Sequence, residues 1–300
     1  MSARFAFLLA PILLAGCAST GNAQEAAEHD RGEAWAARCT DEDEWDRPGP
    51  PFQVFGNTWF VGTCGITALL VTGEDGHVLI DGGTQTSAAL IAANVDALGF
   101  KLSDVKLLLA SHEHHDHVGG TAELQRLTGA RLLSSAEAAP VMASGTADPA
   151  DPQYAIADNF PAIRVDGTVT PGQPVRLGAL ALTPVATPGH TLGALTWRWQ
   201  SCEGETCRTI VYADSLTPIS ADGYRFTAAP DLVAAMRRGL DELAALPCDI
   251  LLTPHPVASS MDTRLTAGDL AGEGQCRAYA ALKRRQLDER LAREAAGTEP

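Results

Sequence analysis

Seven consecutive residues, Ser111-His112-Glu113-His114-His115-Asp116-His117, hold four of the chain's eight histidines. They follow the apolar run Val105 to Ala110, which reads as a buried strand. They precede Val118-Gly119-Gly120, where a helix opens. Side chains alternate faces along a strand, so His112 and His114 project the same way, and the turn beyond them can swing Asp116 and His117 toward the same point. Imidazole and carboxylate are ligands suited to zinc. A solvated histidine run does not normally follow a buried strand, so metal binding is the reading of this cluster. Glu113 and His115 occupy the alternate positions and should point away from His112 and His114, into supporting or surface roles, with His115 as an alternative ligand. His29 and His77 are given no role.

Two further histidines stand where strands should end. One lies in Thr187-Pro188-Gly189-His190-Thr191 and the other in Leu251-Leu252-Thr253-Pro254-His255-Pro256. Asp81-Gly82-Gly83 also follows a strand-like run. The elements that position these residues come in two similar series. In the first, short β-rich runs (Val54-Phe55, Trp59 to Val61, Ile66 to Val71, Val78 to Ile80) are separated by turns containing glycine. A helix at 86–98, the strand Val105 to Ala110, a helix at about 119–128, a strand at Arg131 to Leu133 and a helix near 136–143 follow. The second series has strands at Val175 to Leu177, Leu180 to Val185, Ala194 to Trp199 and Thr209 to Tyr212. After them come a helix at 231–246, a strand at Ile250 to Thr253 and a final helix at about 273–294. Strands followed by helices, twice, suit an α/β protein in which two mixed sheets pack face to face with helices outside, a four-layer αββα sandwich. The segment 144–174, rich in Pro, Asp and Gly, reads as a mobile loop near the site.

The remaining composition narrows the context. The 300 residues are 45% hydrophobic, enough for a large core. The net charge of -15 argues against nucleic acid as a partner. Monomer is the default, because no exposed apolar stripe stands out. Residues 1–16 read as an export signal, with Arg4 ahead of an apolar run too short to span a bilayer as a mature helix. The string Leu14-Ala15-Gly16-Cys17 resembles the lipobox of bacterial lipoproteins, which implies cleavage before Cys17, a diacylglycerol on its sulfur and an outer-membrane anchor in the periplasm. An ordinary signal peptide cut after Ala18 or Ala23 is the alternative. Residues 17–48 read as a tether and loosely attached N-terminal segment, closed by Pro48-Gly49-Pro50-Pro51, and 49–300 as the functional domain. Six cysteines remain beside Cys17. In an oxidising compartment they read as disulfides, and proximity suggests Cys39 with Cys64, Cys202 with Cys207 and Cys248 with Cys276.

The pattern H-x-H-x-D-H, read here as His112, His114, Asp116 and His117, resembles the signature of the metallo-β-lactamase superfamily. Asp81-Gly82-Gly83, His190 and His255 follow its order. The resemblance spans about residues 52–290. It implies a first metal held by His112, His114 and His190 and a second held by Asp116, His117 and His255, both zinc, with Asp116 also orienting the nucleophile. Two zinc ions so held lower the pKa of a shared water toward neutral and polarise a carbonyl. Tyr212-Ala213-Asp214-Ser215-Leu216-Thr217, with serine rather than cysteine at 215, resembles the B3 subclass of β-lactamases. That implies a β-lactam substrate whose carboxylate is held by Ser215 and Thr217, with Trp59 lining the cleft and Gln153 and Tyr154 reaching over it. Asp214 leaves an alternative open. In glyoxalase-II-like hydrolases an Asp in a similar string bridges the two metals, and the substrate would then be a thioester, lactone or phosphoester. A zinc-storing lipoprotein without turnover is a third reading, against which the open coordination positions speak.

Overall fold

The computed structural model describes residue 1, residues 31–39 and residues 44–298. The export signal, Cys17 and His29 lie outside the described residues. Among the described residues, no helix is long and apolar enough to cross a membrane.

The first sheet takes β1 (Phe52–Phe55), β2 (Thr58–Phe60), β3 (Leu69–Val71), β4 (His77–Ile80), β5 (Val105–Leu109), β6 (Arg131–Ser134) and β7 (Val165–Thr168) in that order. Its first four strands form an antiparallel meander, and β4 to β7 run parallel. The second sheet has the order β12-β11-β10-β9-β8, with β8 (Val175–Leu177), β9 (Leu180–Ala186), β10 (Leu195–Glu203), β11 (Thr206–Tyr212) and β12 (Ile250–Leu252). Its one parallel pair is β11 with β12, which places the ends after Tyr212 and Leu252 side by side. The helices are α1 (Glu33–Arg38), α2 (Ser87–Ala97), α3 (His115–Val118), α4 (Thr121–Thr128), α5 (Ala138–Ser144), α6 (Pro230–Ala245), α7 (Met261–Thr266) and α8 (Gln275–Ala295).

The period-two pattern sorts the layers. Phe60, Leu69, Ile80, Leu107 and Leu109 face inward against Leu182, Leu195, Trp197, Ile210, Tyr212 and Leu252 of the second sheet, forming the core between the sheets. The intervening Leu70, Leu79, Leu108 and Leu132 face outward and are covered by Ile91 and Val95 of α2, Leu124 of α4 and Met142 of α5. On the other side Val211 and Leu251 are covered by Leu240 and Leu243 of α6 and Tyr279 and Ala280 of α8. The result is the four-layer αββα sandwich, with β4, β5, β9, β11 and β12 all delivering their C-terminal ends to one rim.

Three local expectations change. The proline-glycine run at 48–51 does not set off a loose segment, because α1 buries Trp35 against the Phe60 ring (centroids 5.6 Å apart) and the Cys39–Cys64 disulfide ties it to the β2–β3 turn. The segment 144–174 is not all loop, since it contains the edge strand β7 paired in parallel with β6. Trp59 does not line the cleft. Its side chain faces outward from β2 and meets Phe100 edge-on at 5.2 Å, in the layer under α2. The Cys202–Cys207 and Cys248–Cys276 bridges pair as proximity suggests.

Candidate metal centre

The rim is shaped before it is functional. Asp81, at the end of β4, has φ +66°. Its Oδ1 accepts the Ser111 backbone N–H (2.6 Å), and its Oδ2 accepts the Ser111 hydroxyl (2.7 Å) and the Tyr212 phenol (2.6 Å). One buried carboxylate therefore locks the ends of β4, β5 and β11 together, and its Oδ2 lies 3.6 Å from His117 Nδ1. Burial raises its pKa to about 6, against the pull of His117, Tyr212 and Ser111. Gly189, just before His190, has φ +141°, and a Cβ there would sit 2.0 Å from Met236 Cγ of α6. Only glycine allows the β9 turn to lie that close to the helix.

On this frame five imidazoles and one carboxylate converge. His112 lies 5.0 Å from His114, 4.8 Å from His190 and 4.2 Å from His117, ring centre to ring centre, and His117 lies 5.0 Å from His255. Asp116 Oδ2 stands 3.1 Å from His117 Nε2 and 3.4 Å from His255 Nε2. Two groups of possible metal-ligand atoms, in His112, His114 and His190 and in His112, Asp116 and His117, each lie within 4.8 Å of one another. His255 completes the second cluster through its contacts with Asp116 and His117.

The hydrogen bonds show which atoms are reserved. His112 Nδ1 pairs with Asp214 Oδ1 at 2.8 Å, His114 Nε2 with Asp151 Oδ2 at 3.2 Å, and His190 Nδ1 with the Thr217 carbonyl at 3.1 Å. Each ring is thus oriented from outside and turns its other nitrogen inward, the arrangement of metal-binding histidines. His112 Nε2 is buried without a hydrogen-bond partner among the described residues, and so is His117 Nε2, although Asp116 Oδ2 is only 3.1 Å away. Buried polar atoms without partners are costly, and a metal ion relieves that cost. Burial and the neighbouring imidazoles hold His112 and His190 well below the usual histidine range, so both are neutral and ready to ligate. Burial opposes the charge on Asp116, but His117 and His255 keep its carboxyl well below the usual carboxylate range. The residues fit a metal centre.

Asp214 does not lie between the two clusters. It is fully buried behind the His112 ring, and its Oδ2 accepts the Leu216 backbone N–H at 3.4 Å. Leu216 has φ +52°, a conformation costly for leucine, and its side chain is buried. That bend carries Ser215 and Thr217. The Ser215 hydroxyl is buried with no hydrogen-bond partner among the described residues, while Thr217 Oγ1 donates to the Ser215 carbonyl (3.0 Å) and accepts from Lys283 Nζ (2.6 Å). Gln153 Nε2 reaches to 3.5 Å from His190 Nε2. Tyr154, beside it, is exposed.

Glu113 takes the supporting place expected of its alternate position, whereas Asp151, Trp45 and Lys283 were given no such place from the sequence. Glu113 is buried, and its carboxylate accepts Thr191 Oγ1 (2.7 Å) and the Gly193 N–H (2.9 Å), holding the His190 turn. Burial pushes its pKa up to about 7. Asp151 holds His114 and also accepts the Gln153 N–H at 2.6 Å, tying the loop to a ligand. Trp45, in the presumed tether, sets its ring 5.8 Å from both His115 and His255. Lys283 backs Thr217 from α8. His115 itself is turned outward, 3.6 Å from Asp158, and is not among the converging rings.

Residues 61–203 match the metallo-beta-lactamase superfamily model. The solved MIM-2 metallo-β-lactamase is 55% identical, with a TM-score of 0.85 over 88% of this chain and 98% of that one. MEM-A1, a subclass B3 metallo-β-lactamase from a soil metagenome library, is 41% identical, with a TM-score of 0.82 over 84% of this chain and 99% of its own. The chain belongs to the metallo-β-lactamase superfamily. Its solved neighbours there include subclass B3 enzymes. A hydroxyacylglutathione hydrolase of Bradyrhizobium sp. (strain ORS 278) is 32% identical over 129 residues, 41% of this chain and 42% of the relative, so the chain spans about two-fifths of the length of that curated relative.

Proposed function

We propose that the protein is a zinc β-lactamase of the B3 type, hydrolysing the β-lactam amide with two zinc ions, one at His112, His114 and His190 and the other at Asp116, His117 and His255. The zinc ions supply water activation near neutral pH and polarisation of the carbonyl. The chain's own residues do the rest. Asp116 holds the inner face of the second cluster, where its carboxylate orients the attacking water. The Ser215–Thr217 bend offers hydroxyls to a substrate carboxylate, and Gln153 covers the opposite side.

The observation that carries this reading is the Asp214–His112 hydrogen bond. An aspartate engaged behind a ligand ring is not available as a bridge between metals, which separates this centre from the thioester-hydrolase alternative. Likeness to solved β-lactamases over nearly their whole length supports the same choice. The test is a substrate panel of a penicillin, a cephalosporin and a carbapenem beside a glutathione thioester and a lactone. Turnover of the β-lactams with the thioester inert is expected. A preference for the thioester would reverse the assignment.

We further propose export to the periplasm as a monomer anchored through Cys17. The lipobox-like string supports the anchor, and the three disulfides fit an oxidising compartment. Labelling with a radioactive fatty acid should mark the wild-type chain and miss Cys17→Ser. Equal labelling of both would refute the anchor.

A further inference from the structure

Lys283 is a buried cation with no carboxylate against it. Only 5% of its surface is exposed, and its ammonium donates to Thr217 Oγ1 at 2.6 Å and lies 5.0 Å from the centre of the Tyr279 ring. Among the described residues it forms no ion pair. Buried charges are normally paired, because an isolated ammonium in a low-dielectric interior is strongly disfavoured. Asp214 acts on it electrostatically, but that carboxylate is already engaged by His112 and the Leu216 N–H. The shortage shows in the group itself, since burial pushes its pKa down to about 8.

The surroundings indicate what would supply the missing charge. The ammonium sits directly behind the bend that carries Ser215 and Thr217. The Tyr279 hydroxyl donates to the Ser215 carbonyl at 2.9 Å and the Asp214 carbonyl at 3.2 Å, so α8 fixes the bend at a second point. An ammonium has donors only, so Thr217 Oγ1 must accept from it. The hydroxyl proton of Thr217 is thereby turned away from Lys283, to the Ser215 carbonyl or to a ligand. Beside it Ser215 is 95% buried, and its hydroxyl has no hydrogen-bond partner among the described residues. An orphaned donor, a hydroxyl whose single proton would have to turn from the Ser215 carbonyl to a ligand, and a cation without an ion pair behind them form a site for an anion. A chain of net charge -15 repels anions at long range, and a local cation at this bend adds to the positive charge that bound metal would supply.

We infer that Lys283 is the positioning residue for the substrate carboxylate, acting through Thr217 and supplying the positive charge that the Ser215–Thr217 bend lacks. This rests on the β-lactamase reading and adds to it the group that selects anionic β-lactams over neutral ones. The test compares a β-lactam carboxylic acid with its methyl ester, on the zinc-loaded wild type, Lys283→Met, Thr217→Val and the double variant. Lys283→Met should raise KM for the acid about tenfold, a factor of ten being about 1.4 kcal/mol, with kcat within a factor of two and no change for the ester. In the double variant the losses should not add, because both substitutions break one route. Methionine replaces an unpaired buried cation by an apolar chain of similar length, so the melting temperature should not fall. Equal losses on acid and ester, or no loss on either, would overturn the role of Lys283 while leaving the β-lactamase reading intact. A wild type inert toward both substrates would overturn the reading and the inference together. Lys283→Gln, which keeps a donor to Thr217 without the charge, checks the same point independently. It should behave as Lys283→Met, and full wild-type KM in it would contradict a role for the charge.

Discussion

Asp214 is fully buried behind the His112 ring and holds it in one orientation. Supporting partners of metal-bound histidines are typically worth 10–100-fold in affinity. Asp214→Asn should therefore weaken zinc binding by about that factor, measured by competition with a chromophoric chelator, and excess zinc should restore much of the lost turnover. Unchanged affinity would mean that Asp214 is not the orienting group. The converging cluster itself was legible at this scale, because four of its six residues lie within six positions and the other two at strand ends. Their supports were not. His112 meets Asp214 across 102 positions, Glu113 meets Thr191 across 78 and Lys283 meets Thr217 across 66. A short motif declares itself through local spacing, whereas a carboxylate that finds its partner only after the sheets pack leaves no local pattern. Trp59 shows the converse. An aromatic residue on a short strand faces either cleft or helix layer, and only the register of β2 against β3 decides which.

At the level of elements, period-two strands and apolar helices were readable wherever burial was strong. β7 was missed because its four residues, Val165–Thr168, include a glycine and alternate between half-buried and exposed positions at the sheet edge. The end of α8 carries a feature of another kind. Glu294 is fully buried and accepts from the Phe226 N–H (3.0 Å), the Thr227 N–H (2.8 Å), the Thr227 hydroxyl (2.9 Å) and Arg290 Nε (2.8 Å), joining α8 to the turn before α6. Burial opposes its charge, but these donors outweigh it and hold its pKa at about 2. A depressed carboxylate pKa stabilises the fold above the ordinary value of 4.5, and the contribution is lost as pH falls toward about 2. Glu294→Ala should cost about 2 kcal/mol at neutral pH. Urea unfolding of the metal-stripped proteins should show the gap to wild type closing as pH falls from 4.5 toward 2. A gap that stays constant through that range would show that the charge contributes nothing.

For the whole molecule, the fold class was legible because two strand-to-helix series define two sheets with outer helices. The integration of the N-terminal segment was not, since its polar Ala- and Glu-rich composition hides the few residues that dock it. Trp35 fills the core, Cys39 ties it to Cys64, and Trp45 stands beside His115 and His255. The site is therefore assembled from the N-terminal segment, the rims of both sheets, the 144–174 segment and α8. Under the proposed function this assembly is a zinc-dependent β-lactamase. The most direct measurement is hydrolysis of a chromogenic cephalosporin by the purified protein, before chelation, after it, and after zinc is returned. Turnover that the chelator abolishes and zinc restores is expected, with the restored rate saturating at two zinc ions per chain. No turnover in a folded, zinc-loaded sample, or turnover indifferent to the chelator, would contradict it.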